Sequence, residues 1–182
     1  MNPRQRRLMA DYAGLKAEFA GHPHVQVEPL GIVPPEAYRV TYRVCGLRLE
    51  GDQPVPAEEH VCEIRLPLGY PREQPYIVPV TPVFHPNVAS HYCVGDYWSA
   101  GQSLADIVRK IGDMLQYRVY NVKAPLDAVA ALWATENEAL LPIGDVQLGA
   151  PEIVVDLWPR AEPGPQGRAG TRNADGRLEV DV

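Results

Sequence analysis

The sequence predicts an α+β fold in which one helix precedes an antiparallel sheet and two helices follow it. Three observations support this class: an apolar helical pattern in the first twenty residues, about four consecutive strand-like segments, and a return of helical periodicity at Ser103. Strands that follow one another without intervening helices usually pair as an antiparallel meander, because parallel neighbours need long crossover connections.

The first helix carries a basic stripe as well as an apolar face. Arg4, Arg6 and Arg7 lie near its beginning, on a protein whose formal net charge is -6. The stripe has two interpretations, a surface for an acidic partner or a solvated helix end. The apolar face is predicted from residues at three- and four-residue spacing: Leu8, Tyr12, Leu15 and Phe19.

Four strands are predicted, at residues 25–30, 38–44, 62–66 and 76–80. Apolar and polar residues alternate with period two in the second and third of these segments. Between those two segments, Gly51-Asp52 with Pro54 and Pro56 predicts turns.

The predicted sheet is followed by a long irregular segment at residues 79–101, rich in His, Pro, Asn, Gly and Tyr. Loops of this length in compact domains are usually functional. Ser103, with Asp106 three residues later, then predicts a capping box at the start of the second helix. A third helix is predicted over residues 126–140, with Pro125 at its start.

The chain length favours one domain with tails. We predict a domain over residues 1–143, a C-terminal extension over 144–159 with a β-prone run at 153–155, and a disordered tail over 160–182. The acidic composition, with an isoelectric point near 5.3, argues against binding to nucleic acid. No stretch resembles a secretory signal or a membrane span, so we expect a cytosolic protein that does not enter membranes.

The three cysteines are unlike a disulfide framework or a zinc knuckle, because they are widely spaced and form no C-x-x-C pair. Cys45 and Cys62 lie in apolar strand-like runs, and we predict both as buried thiols. Cys93 instead lies in the long loop, close to histidines and to Asn87. One hypothesis is acyl transfer through the Cys93 thiol, with the Asn87 amide donating to an oxyanion; the other is a structural cysteine.

An ordered series of motifs extends over roughly residues 5–140: Tyr70-Pro71, Pro75, Pro82, His85-Pro86-Asn87, Cys93, Trp98-Ser99 and Pro125-Leu126. The series resembles the ubiquitin-conjugating enzyme family, whose α+β fold has the element order predicted above. The resemblance implies that Cys93 accepts a ubiquitin-like protein as a thioester from an activating enzyme and passes it to an amine of a target protein. It implies no cofactor for this chain, since ATP is used by the activating enzyme.

The same resemblance implies roles for other residues. Asn87 would stabilise the oxyanion or hold the loop that presents the thiol. The first helix would dock the activating enzyme through Arg4, Arg6 and Arg7. The active-site scaffold would comprise His85, Pro86 and Trp98. Apart from the resemblance, His91 and Tyr92 lie close enough to Cys93 in the sequence to assist the attacking amine, with an exposed loop position as the alternative for His91. Asn121 is a third auxiliary candidate, because it lies in the segment where the family has an acidic or serine gate.

Three departures point to a subgroup of the family. Cys93 follows Asn87 by only six residues, which shortens the active-site loop; Ser99-Ala100 replaces the usual Ser-Pro; and residues 116–121 offer no clear acidic or serine gate. These features look like bacterial members encoded beside a ubiquitin-like protein, an activating enzyme and a deconjugating metallopeptidase. The resemblance then implies protein modification in antiphage defence.

Two other functions are compatible with the residues. One is a catalytically inactive module of the same fold that binds ubiquitin-like proteins. The other is a cysteine hydrolase that pairs Cys93 with His85 or His91, which requires an imidazole within hydrogen-bond reach of the sulfur. A metal site is not expected, because only His85, His91 and Cys93 lie close together in the sequence.

Overall fold

The computed structural model describes residues 2–95 and 98–149. Helix α1 spans Pro3–Phe19, as predicted. Its first turn is closed by a capping box, in which the Asn2 side chain accepts from the Gln5 N–H while the Gln5 side chain accepts from the Asn2 N–H. The buried face confirms the helical pattern but also includes a carboxylate, Asp11.

The central sheet has four antiparallel strands in the order β1-β2-β5-β6. The register pairs Val27 with Val40, Val40 with Cys62, and Ile64 with Ile77. This arrangement confirms the predicted four-stranded antiparallel sheet. Its strands are β1 (Val25–Leu30), β2 (Ala37–Tyr42), β5 (His60–Arg65) and β6 (Tyr76–Pro79).

A hairpin that the sequence analysis missed lies between β2 and β5. Strands β3 (Gly46–Glu50) and β4 (Gln53–Ala57) pair as a separate two-stranded sheet, turning at Gly51, whose φ is 60°. The prolines on β4 were interpreted as turn residues. Proline is compatible with β4 because, among the described strands, only β3 pairs with it, so its other edge needs no N–H donor.

Helix α2 (Leu104–Leu115) begins at the predicted capping box. The side chain of the N-cap Ser103 accepts from the Asp106 N–H, and the Asp106 carboxylate accepts from the Ser103 N–H. Its apolar face packs on the sheet, and the Tyr42 hydroxyl donates to the Val108 carbonyl at 2.9 Å. The main core lies between the four-stranded sheet and helices α1 and α2.

Helix α3 (Ala128–Glu136) is shorter than the predicted 126–140. Asp127 caps its N-terminus by accepting from the Ala130 N–H, and a separate 3-10 turn covers Glu138–Leu140. Its buried residues are alanines, whereas Val129 and Leu132 are exposed. Of the apolar residues that suggested the longer helix, Trp133 packs against Phe84, whereas Val129, Leu132 and Leu140 are exposed.

Residues 144–149 run along α2 without regular secondary structure. The Gln116 side chain accepts from the Val146 N–H at 3.0 Å and donates to the Val146 carbonyl at 3.1 Å. Leu148 is buried against the main core. The rest of the predicted extension and the predicted tail, residues 150–182, lie outside the described residues. Among the helices described, none is both long and apolar enough to cross a bilayer.

Candidate active site

Cys93 is half-buried and lines a small cleft of about 110 Å³. Three parts of the chain form its walls: the loop that carries the thiol, one side of α2, and residues 119–124. The lining residues are Asn87, Cys93, Val94, Gly95, Lys110, Met114, Val119, Tyr120, Asn121 and Ala124.

The loop that carries Cys93 is fixed by main-chain hydrogen bonds. The Cys93 N–H donates to the Asn87 carbonyl at 2.9 Å, and the preceding Tyr92 N–H donates to the Ile77 carbonyl on β6 at 2.9 Å. Tyr92 itself is buried in the core. The thiol therefore follows directly on an anchored residue, which limits how far the sulfur can move.

Asn87 connects this loop to the opposite wall of the cleft. Its Oδ1 accepts from the Asn121 N–H at 2.7 Å, and its Nδ2 donates to the Asn121 carbonyl at 2.9 Å and more distantly to that of Ala124. The neighbouring Pro86 carbonyl accepts from the N–H groups of Leu126 and Asp127. With its amide engaged in this way, Asn87 is placed to hold the 121–124 segment. It would have to release Asn121 to reach an oxyanion.

His85 is fully buried behind the cleft. Its Nδ1 accepts from the Asn87 N–H at 3.0 Å, which assigns the ring proton to Nε2. Burial lowers the pKa of His85 to about 4, with a smaller opposing effect from the Val119 main chain. The imidazole is therefore neutral at physiological pH and braces the Asn87 loop.

The two predicted auxiliary residues beside the thiol do not line the cleft. His91 stacks on Tyr76, with ring centroids 5.8 Å apart, and lies near the Ser90 hydroxyl. Burial raises the pKa of Tyr92 well above its ordinary value. Of the predicted auxiliary groups, only Asn121 lines the cleft. Among the described residues no imidazole lines it, an arrangement unlike the dyad of a cysteine hydrolase.

Trp98 anchors the chain after the active-site loop. Its indole N–H donates to the Pro71 carbonyl at 2.6 Å, and its ring lies 6.0 Å from that of Tyr70. The side chain is half-buried against the main core. This position is compatible with the scaffold role that the sequence suggested. The intervening Asp96 and Tyr97 lie outside the described residues.

The three arginines of α1 have different environments. The Arg7 guanidinium is bound within the domain. It pairs with Asp11 at 2.7 Å and lies over the Tyr70 ring. It also donates to the carbonyls of Ala100 and Gln102. Arg4 pairs with Glu36 at 2.5 Å. Arg6 is exposed. Of the predicted docking residues, Arg6 is therefore the most accessible.

Two cleft residues on α2, Lys110 and Met114, were missed by the sequence analysis. They lie four residues apart on the helix and border its apolar face, which was the available signal. Helical periodicity shows that such residues share a side. It does not show which loop that side faces.

The other two cysteines differ from each other. Cys62 is fully buried, as predicted, and burial raises its pKa. The prediction for Cys45 was wrong: it is exposed, because it lies in the bend between β2 and β3 instead of within a strand. Within the ranges 2–95 and 98–149, no three His, Cys, Asp or Glu residues form a metal-binding group.

Comparison with known proteins identifies the fold. No protein-family profile matches the chain, and no curated protein matches it. A solved structure, the E2 domain of a ubiquitin-conjugating enzyme from Toxoplasma gondii, superposes with a TM-score of 0.55 at 24% identity. The match covers 76% of this chain and 91% of that domain. The chain therefore has the α+β fold of ubiquitin-conjugating domains, which confirms the predicted fold class.

Proposed function

We propose that this protein is a ubiquitin-conjugating-type transferase. Cys93 accepts the C-terminal acyl group of a ubiquitin-like protein from an activating enzyme and passes it to an amine of a target protein. The observation that carries the proposal is the half-buried Cys93 thiol in a cleft, next to an asparagine that holds the opposite wall, within this fold.

The proposed reaction has two acyl transfers. In the first, the Cys93 sulfur bonds to the acyl carbon and the thioester on the activating enzyme breaks, an exchange between similar bonds that depends mainly on orientation. In the second, an amine nitrogen attacks the same carbon, the bond to Cys93 breaks, and the sulfur leaves as a thiolate. The proton lost by the amine passes to solvent.

We assign Asn87 to holding the 121–124 wall of the cleft. The two hydrogen bonds with the Asn121 main chain support this role, because they use both ends of the Asn87 amide. A fixed wall would keep the acyl carbon where an incoming amine can attack it. The neutral, buried His85 supports the same arrangement from behind.

We further propose that the partners are a ubiquitin-like protein, an activating enzyme and a target protein in a bacterial antiphage system, with a deconjugating metallopeptidase encoded alongside. The short spacing between Asn87 and Cys93 supports this subgroup. On α1, the exposed Arg6 offers a positive charge to an acidic activating-enzyme surface.

A charging assay tests the proposed function. The protein is mixed with the activating enzyme and the ubiquitin-like protein of the same gene cluster and ATP, then run on gels with and without reductant. We expect a reductant-sensitive adduct that Cys93→Ala abolishes and that Cys93→Ser converts to a reductant-resistant oxyester.

Cys45→Ala is the matched control, because Cys45 is the exposed thiol outside the cleft. It should charge like the wild type. An adduct that depends on Cys45, or no adduct with an activating enzyme shown to be competent, would exclude thioester transfer through Cys93. The inactive binding module would then be the better description.

A further inference from the structure

Lysine is scarce in this chain. Of 17 lysine and arginine residues, only Lys16, Lys110 and Lys123 are lysines. Lys16 lies on α1, with its ammonium 5.5 Å from the centre of the Tyr12 ring. Lys123 is exposed, on the 121–124 segment that forms one wall of the cleft. Lys110 lines the cleft itself together with Cys93.

Lys110 extends from α2 towards the main chain that follows the thiol. It is half-buried, and its Nζ lies so close to Gly95 that a Cβ atom at position 95 would be 2.9 Å from it. Gly95 has a φ of 128°, a conformation that other residues rarely adopt. A glycine at this position therefore leaves room for the Lys110 amine two residues from Cys93.

The position of this amine matters because an acyl group on Cys93 would have its carbonyl carbon one bond from the sulfur. A lysine nitrogen in the same small cleft is then held near that carbon. Its attack avoids the entropy loss of bringing two separate molecules together. The flexible four-carbon stem of lysine lets the nitrogen adjust its approach.

We propose that Lys110 is an internal acceptor for the modifier carried by Cys93. This proposal rests on the proposed function, since it needs the thioester. The neutral Lys110 amine attacks the acyl carbon, an amide bond forms, and the carbon–sulfur bond breaks. Cys93 leaves as a thiolate, and the proton lost by nitrogen passes to it or to water.

The product would be a self-limited enzyme. Cys93 returns to the thiol form, but the tail of the modifier, now joined to Lys110, occupies the cleft that the next acyl group must enter. Each molecule would thus be modified once at this position and then stop accepting modifier. Charging without a target protein would favour this outcome.

A pulse-chase experiment tests the proposal. The full-length protein is charged, ATP is removed, and the thioester is followed without any target on gels with and without reductant. We expect a reductant-resistant adduct to replace the thioester at a rate independent of enzyme dilution. Peptide mass spectrometry of the wild-type product should place the modifier on Lys110.

Lys110→Arg is compared with the matched variants Lys123→Arg and Lys16→Arg. The conversion rate is measured from the thioester pool of each protein, so differences in charging do not enter. It should fall about tenfold or more in Lys110→Arg alone, because a guanidinium stays protonated and does not attack.

Several results would overturn the proposal. They are a stable thioester with no amide product, a product mapped to Lys16, Lys123 or the N-terminal amine, and a rate proportional to enzyme concentration. A thioester that forms but does not convert removes only this proposal. Absence of the thioester itself removes the proposed function as well.

Discussion

The amide side chain of Asn87 pairs with the main chain of Asn121 through both of its polar ends, at 2.7 Å and 2.9 Å. The two residues lie on opposite sides of the cleft, and Asn87 is only 6% exposed. Together with the bonds from the Leu126 and Asp127 N–H groups to the Pro86 carbonyl, this side chain holds the 121–124 wall.

Asn87→Ala should lower the free energy of unfolding by about 1–3 kcal/mol, because the Asn121 N–H and carbonyl lose their buried partner. It should slow amine discharge of the thioester roughly ten- to a hundredfold, and charging less, since a shifted wall misplaces the acyl carbon. Urea denaturation and single-turnover discharge measure the two effects.

Asn137→Ala is the control for the Asn87 variant. The Asn137 side chain makes one hydrogen bond, to the Trp133 carbonyl at the end of α3, away from the cleft. It should discharge at the wild-type rate. Wild-type discharge in Asn87→Ala as well would mean that the position of the wall is not required for transfer.

His85 should make stability depend on pH. Burial lowers its pKa to about 4 in the folded protein, against about 6.5 in the unfolded chain. The unfolded state therefore binds the proton more readily. The contribution of His85 to the free energy of unfolding is fully present above pH 6.5 and is lost as the pH falls towards 4. The total loss from His85 is about 3 kcal/mol.

Urea denaturation between pH 7.5 and 4.5 measures this loss. In His85→Asn, an amide oxygen can replace Nδ1 as the acceptor for the Asn87 N–H. The free energy of unfolding should then depend less steeply on pH, by up to the contribution of one bound proton. His60, also buried with a lowered pKa, contributes equally to both proteins. An unchanged slope in His85→Asn would contradict the buried neutral imidazole.

Much of the fold could be predicted because its helices and central strands have clear periodicity. Leu8 and Leu15 on α1 and Ile107 and Ile111 on α2 repeat at helical spacing and are buried. The β3–β4 hairpin was missed because proline on an edge strand has the same local signal as proline in a turn. The extent of α3 was misjudged because its packing uses alanines.

The candidate site was predictable only where its residues are close in sequence. Cys93 and Asn87 lie six residues apart, and a main-chain hydrogen bond joins them. Lys110 enters the cleft from α2, and its approach to Gly95 depends on how the helix crosses the sheet. That crossing is a tertiary property, which local patterns do not specify.

Asp11 is a buried carboxylate on α1 that should be costly to replace. It accepts from Arg7 at 2.7 Å, from the Tyr70 hydroxyl at 2.6 Å and from the Leu104 N–H at 3.2 Å, and it is 6% exposed. Asp11→Ala leaves the Arg7 guanidinium without its anion and should cost about 3–5 kcal/mol in urea denaturation.

Glu59→Ala is the comparison for Asp11→Ala. Glu59 and Arg43 form a wide pair at 3.9 Å with both side chains more than half exposed, so its loss should change stability by less than about 1 kcal/mol. Equal losses in the two variants would mean that Asp11 does not join α1 to the start of α2.

Two glycines in helices should respond in opposite directions to alanine. Gly14 lies within α1, and a Cβ there would meet nothing within 4 Å, so Gly14→Ala should stabilise the protein by about 0.5–1 kcal/mol. At Gly112 in α2, a Cβ would lie 1.8 Å from Leu148 Cδ1. Leu148 must then move, and the lost packing should outweigh the helix gain, for a net loss of about 1–2 kcal/mol.

The double variant separates the helix effect from the packing effect. In a Leu148→Ala background the obstructing methyl groups are absent, so Gly112→Ala should no longer destabilise and the two changes should couple. If Gly112→Ala instead stabilised the otherwise unaltered protein as much as Gly14→Ala does, residues 144–149 would not be packed on α2. Urea denaturation of the four variants decides between these outcomes, because the helix propensity gain is common to both glycines while contact with Leu148 is specific to Gly112.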